Sequence, residues 1–182
     1  MLERIWSAWR SAYVTGATVR SGDASPDTAG SEPAPEGSVF TRLLNSGAPD
    51  EATYIVHRGA TCFALCNLFP YASGHLLVLP YREVADLDGL TADETADLWR
   101  TVTDAVRVVR AVYRPDGLNV GLNLGRPAGG SVPDHLHVHV VPRWTGDSNF
   151  MAAISNTQNL PEALEDTAAK LRAAWSDVAS SP

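Results

Sequence analysis

The sequence predicts an α+β domain: a largely antiparallel sheet with helices packed mainly on one face. Three observations predict it. Thr53–His57 and Thr61–Asn67 alternate like the arms of a hairpin around Arg58-Gly59-Ala60. Leu118–Leu124 and the run from His135 to Pro142 read as two further strands, which flank a glycine-rich loop and so pair antiparallel. Two stretches, one opening at Thr91 and one near Pro161, carry apolar residues at helical spacing.

With 182 residues, the chain fits a single domain, 1–182, with a sizeable core. Hydrophobic residues make up 45% and aromatic residues 8%, the proportions of an ordinary globular protein. No apolar run approaches the roughly 20 residues that span a bilayer, and Met1-Leu-Glu-Arg-Ile-Trp6 lacks the apolar core of a signal peptide. A cytoplasmic location is expected. The net charge of −7 disfavours broad binding to nucleic acid or to anionic membranes, so an anionic ligand must be drawn in by local donors.

From the N-terminus, Leu2, Ile5, Trp6, Trp9 and Tyr13 suggest an amphipathic helix over Leu2–Val14 that covers core or a partner subunit. A flexible loop is expected over about 15–38, where Ser21–Ser38 is rich in Ser, Gly, Pro, Asp and Glu without periodicity. The hairpin follows. Its second arm holds the only cysteines, Cys62 and Cys66, which a spacing of four puts on one strand face, too far apart for an easy disulfide. They read as small buried hydrophobes and form no zinc site. Phe69–Gly74 is a turn and His75–Pro80 a third strand. Thr91-Ala-Asp-Glu94 is a capping box, opening a helix with Leu98, Val102, Ala105, Val106 and Val109 on its apolar stripe. Pro115-Asp-Gly117 closes it. Beyond the strand pair, Trp144–Asn159 looks irregular, and Pro161 fits the first position of a last helix with Leu164, Leu171 and Trp175 inward.

The chemistry concentrates in His135-Leu-His137-Val-His139-Val-Val-Pro142, which holds three of the five histidines. On a strand, alternate side chains share a face, so the three imidazoles line one face and Leu136, Val138 and Val140 bury the other. A solvated face carrying three histidines by chance, beside the loop Gly125–Ser131, is improbable. A metal site is one alternative, though it would want a further ligand nearby. The other is a nucleophilic imidazole that attacks phosphorus and forms a phosphoramidate, its neighbours hydrogen-bonding phosphate oxygens.

The run His135-x-His137-x-His139-x-x resembles the signature of the histidine triad (HIT) superfamily of nucleotide hydrolases and transferases. The resemblance extends to Asn67-Leu-Phe-Pro-Tyr-Ala-Ser-Gly74-His75-Leu-Leu-Val-Leu-Pro80, to Asn119-Val-Gly-Leu-Asn123-Leu-Gly, to Val141-Pro-Arg-Trp144-Thr-Gly-Asp-Ser-Asn149-Phe and to Trp6-Ser-Ala-Trp9-Arg. It leaves out only about residues 15–52, and implies a HIT-like fold. Carried over by position, it implies His137 as nucleophile, His139 on the scissile phosphate, and His135 and His75 completing the histidine set. It further implies Asn67 at the nucleoside, Asn123 at phosphate or leaving group, Gly130 and Ser131 offering amides and a hydroxyl to phosphate oxygens, and Arg126 as a lesser candidate. Trp144, directly after the catalytic strand, reads either as core packing or, the favoured reading, as a wall of the substrate pocket.

One departure concerns zinc. Many bacterial relatives carry a zinc site begun by Cys-x-x-Cys. Here Ser38-Val-Phe-Thr41 stands at that place, and Glu83 where those relatives have histidine. No metal and no cofactor are expected, with inorganic phosphate as co-substrate if the reaction is phosphorolysis. The combined motifs look most like the actinobacterial diadenosine tetraphosphate phosphorylases of the superfamily. This implies phosphorolysis to ADP and ATP through a nucleotidyl-histidine intermediate. The alternatives are a HIT hydrolase of dinucleoside polyphosphates or nucleoside phosphoramidates and, further off, a non-catalytic nucleotide-binding protein. His139, where uridylyltransferase-type relatives have Gln, leans towards the hydrolases. A homodimer or larger homo-oligomer is expected, paired through the helix after Thr91 and the Trp6/Trp9 segment.

Overall fold

A computed structural model describes residues 37–147 and 162–179. Apart from Gly146 and Asp147, these belong to one unit spanning 35–145 and 160–182. The expected Leu2–Val14 helix, nearly all of the 15–38 loop, Pro161 and most of Trp144–Asn159 lie outside the described residues.

Among the described residues, nine α-helices and β-strands follow in order: α1 (Val39–Asn45), α2 (Asp50–Thr53), β1 (Ile55–Arg58), β2 (Cys62–Cys66), β3 (Leu76–Pro80), α3 (Ala92–Tyr113), β4 (Gly117–Leu122), β5 (Val138–Arg143) and α4 (Leu164–Ala179). The five strands form one sheet in the order β1-β2-β3-β5-β4, every pair antiparallel. The α+β expectation holds. His139 lies on β5, while His75 directly precedes β3 and His135 and His137 precede β5.

Strand alternation sorts the side chains onto two faces. On one face Cys62, Ala64, Cys66, Leu76, Val78, Leu136, Val138 and Val140 pack against Leu98, Val102, Ala105, Val108 and Val109 of α3 and Ala168, Leu171 and Trp175 of α4. Each large aliphatic side chain buried there contributes about 1.5–3 kcal/mol. On the other face Ile55, Phe63, Leu65, Leu77 and Leu79 form a smaller core closed by Phe40, Leu43 and Leu44 of α1. Both cysteines are free thiols in the first core, and burial pushes them up to about 11 for Cys62 and about 12 for Cys66.

The Thr91 capping box forms as expected: Thr91 Oγ1 accepts the Glu94 N–H, and the Glu94 carboxylate accepts the Thr91 N–H. Sequence reasoning left α1 unassigned. It is a short helix capped by the Ser38 hydroxyl. No helix among the described residues is long and apolar enough to cross a membrane.

Candidate active site

The site forms where β3 and β5 meet. His139 lies on β5, its Cα opposite Leu77 of β3 and Gly121 of β4. His75 stands two residues before Leu77 and so on the same face. It emerges from a turn that needs glycine at position 74: φ there is +85°, and a Cβ would come within 2.8 Å of the Tyr113 ring. His137 and His135 precede β5. The expectation of a strand running through all three triad histidines needs correction, because β5 begins only at Val138. The Leu136 amide leaves the sheet ladder and donates to the Val84 carbonyl at 2.6 Å.

Hydrogen-bond partners fix each ring's tautomer. His137 Nδ1 lies 2.8 Å from the His135 carbonyl, which can only accept, so Nδ1 carries the proton. His137 Nε2 is therefore a bare lone pair. The Tyr71 N–H donates to His75 Nδ1 at 3.0 Å, so His75 carries its proton on Nε2. That proton faces His139 Nδ1 at 3.0 Å. His139 must then hold its own proton on Nε2, and that buried atom has no hydrogen-bond partner among the described residues. The rings of His137 and His139 stand 5.1 Å apart. A lone pair and an N–H donor thus sit side by side, each with its tautomer set from behind.

Burial keeps these rings neutral. It lowers His137, and together with neighbouring histidines pushes His139 down to about 4 and His75 to about 3. Tyr71 stacks 6.0 Å from His139, and Phe40 of α1 lies 5.4 Å from His137. Sequence reasoning gave neither a role: Tyr71 was read as part of a turn and of the motif from Asn67 to Pro80, and Phe40 stands in a helix left unassigned.

His135 has a different place from its companions. Its ring is fully buried, with Nε2 2.8 Å from the Pro80 carbonyl and Nδ1 2.8 Å from Ser38 Oγ. It meets His137 through its backbone carbonyl and stands outside the His75–His139 chain. Asn67 follows β2; its Oδ1 accepts the Phe69 N–H at 3.2 Å and its Nδ2 lies 3.4 Å from His75 Nδ1. Asn123 follows β4, half-buried. Between β4 and β5 the loop turns through Arg126–Ala128, with Arg126 exposed. Gly130 is buried, and a Cβ there would meet the Gly125 carbonyl at 2.9 Å, so the close approach requires glycine. Its amide donates to that same carbonyl at a long 3.3 Å. Ser131 is exposed. Trp144 follows the far end of β5, half-buried and edge-on to Tyr113 at 6.5 Å.

A HIT domain model matches residues 49–146. The chain belongs to the HIT domain family. It is 43% identical over 174 residues to AP-4-A phosphorylase of Mycobacterium tuberculosis, covering 96% of this chain and 85% of that protein. It is 38% identical over 93 residues to an asymmetrical bis(5'-nucleosyl)-tetraphosphatase of Schizosaccharomyces pombe, covering 51% of this chain and 50% of that protein. Among solved structures it resembles a Hit-like protein of Bartonella henselae, with TM-score 0.63 and 25% identity over 79% of this chain and 99% of that one.

In this HIT domain the residues at the place of the bacterial zinc site do not fit zinc. Ser38 and Thr41 present neutral hydroxyls, which are not among the thiolate, imidazole and carboxylate donors zinc selects. The Thr41 hydroxyl donates to Glu83 Oε2 at 2.5 Å, and His135 Nδ1 is engaged by Ser38. Among the described residues, no group of three or more His, Cys, Asp or Glu side chains is arranged to hold a metal ion.

Proposed function

We propose that this protein cleaves diadenosine tetraphosphate by phosphorolysis, with His137 as nucleophile. His137 Nε2 attacks the phosphorus beside one adenosine. The N–P bond forms, the bond to the bridging oxygen breaks, and ATP leaves, with AMP held on the imidazole. That imidazole is now cationic, and its Nδ1–H stays on the His135 carbonyl, which spreads the charge. His139 Nε2–H donates to a phosphate oxygen as charge builds there. Inorganic phosphate then attacks the same phosphorus, the N–P bond breaks, ADP leaves, and His137 returns neutral.

The observation that carries this reading is the paired tautomers: a bare Nε2 on His137 beside an unpartnered Nε2–H on His139. The identity with a protein named AP-4-A phosphorylase over nearly the whole chain favours phosphate as acceptor. A second reading, asymmetric hydrolysis, draws on the S. pombe relative named a tetraphosphatase. Incubating diadenosine tetraphosphate with enzyme, with and without inorganic phosphate, separates the two. ADP plus ATP, formed only with phosphate, is expected; AMP plus ATP in either tube assigns hydrolysis.

Around that core, Asn67 faces the nucleoside, while Asn123 and the Gly130–Ser131 turn face the phosphates, the Gly130 amide shifting from Gly125 to the ligand. His135 acts through its carbonyl. No cofactor is needed beyond phosphate, the 182 residues act as one HIT domain, and the enzyme works in the cytoplasm. It is at least a homodimer. Support comes from β4, an edge strand with Val120 exposed, and from Trp99 exposed on α3. Trp144, which stands edge-on to Tyr113, walls the substrate pocket.

A further inference from the structure

We infer that Ser38, backed by Thr41 and Glu83, is a positioning residue for the nucleophilic ring. It forms a hydrogen-bonded latch that ties the start of α1 and the segment after β3 to His135. The inference rests on His137 being the nucleophile.

The latch runs through three chain segments. Glu83 Oε2 accepts the Ser38 N–H at 2.8 Å and the Thr41 hydroxyl at 2.5 Å. Ser38 Oγ accepts the Thr41 N–H at 3.1 Å, capping α1. His135 Nε2 must donate to the Pro80 carbonyl, since a carbonyl only accepts, so Nδ1 is the acceptor and the Ser38 hydroxyl donates to it at 2.8 Å. Every polar atom of the His135 ring is thereby paired in a fully buried position.

Two consequences reach His137. The carbonyl of His135 is the group that holds the His137 Nδ1 proton, so fixing the His135 ring fixes the backbone that aims the nucleophile. The capped helix also holds Phe40 at 5.5 Å from His135, edge-on, and at 5.4 Å from His137. Phe40 limits rotation of the His137 ring and keeps water from it. Without the Ser38 hydroxyl the buried His135 Nδ1 loses its donor and the helix start loses its cap, and both supports of His137 loosen together.

Ser38→Ala and Thr41→Val are compared with wild type in two assays. In steady-state phosphorolysis, kcat of Ser38→Ala falls about tenfold or more while KM stays within about twofold, and Ser38→Thr, which keeps the hydroxyl, recovers most of the rate. Imidazole nitrogen NMR reads the latch without turnover: His137 holds a single Nδ1–H tautomer in wild type and a mixture in Ser38→Ala. Should that variant not fold, Thr41→Val, which leaves the cap in place, is read by the same criteria with a smaller loss. A folded variant with wild-type kcat and an unmixed His137 tautomer overturns the latch. Wild type that shows the single tautomer but turns over no dinucleotide overturns the nucleophile reading and leaves the latch standing.

Discussion

Replacing His75 by alanine tests the tautomer chain at its middle link. The ring is 1% exposed and makes two hydrogen bonds of 3.0 Å, one from the Tyr71 amide and one to His139 Nδ1. Alanine leaves that amide and the His139 lone pair without their partners. A buried group stranded in this way costs about 1–3 kcal/mol, so a stability loss of about 3 kcal/mol is expected for the pair, less where water fills the space. The catalytic loss has a separate cause. With nothing donating to its Nδ1, His139 no longer holds its proton on Nε2, and the site loses one preorganised donor to the phosphate. Losses of that kind run to about 10²–10³ in kcat. Urea unfolding measures the first quantity, and steady-state kinetics on diadenosine tetraphosphate with phosphate measures the second, at a temperature where the variant is folded. A folded His75→Ala enzyme within about threefold of wild-type kcat would rule out a role for His75 in setting the His139 tautomer.

His75 and His139 are pushed down to about 3 and about 4, whereas the unfolded chain titrates near about 6.5. The unfolded state therefore binds more protons between those values, so stability is full above about 6.5 and falls as pH drops towards 4. The acid limb of kcat/KM should likewise lie below 6.5, and a limb above 7 contradicts a neutral triad. Protein purified without added metal should carry no stoichiometric zinc by elemental analysis; one zinc per chain, lost together with activity on chelation, contradicts the hydroxyl latch. Sedimentation should give a dimer or larger, and a stable 19.5 kDa monomer at micromolar concentration refutes it. Trp144→Ala should change the relative kcat/KM for tri-, tetra- and pentaphosphate substrates; unchanged ratios with a loss of roughly 3–5 kcal/mol would assign the ring to packing on Tyr113.

Much of this was legible in the sequence because strand alternation and helix capping are local codes. The alternation of Leu136, Val138 and Val140 marked the residues that pack into the core beside α3, and Thr91 with Glu94 marked the start of α3. The start of β5 was not legible, because it depends on Leu136 bonding to Val84, some fifty residues away in the chain. Nor was α1, seven residues long after a sequence rich in Ser, Gly, Pro, Asp and Glu, with only Phe40, Leu43 and Leu44 to mark its face. Tyr71 eluded sequence reasoning for another reason: its amide sets the tautomer of His75, and a backbone group carries no side-chain signal. The separate place of His135 was hidden by its pattern. Spacing puts it beside its two companions, while its ring is claimed by Ser38 and Pro80.

In the proposed reaction His137 Nε2 takes the nucleotide from diadenosine tetraphosphate and hands it to phosphate. The most direct test withholds phosphate, quenches the reaction in alkali to preserve N–P bonds, and maps the adduct by peptide mass spectrometry. An adenylyl group is expected on His137, absent from His137→Ala and discharged as ADP when phosphate is added. Turnover to ADP and ATP without any adduct at His137, or with the adduct on another residue, would contradict it.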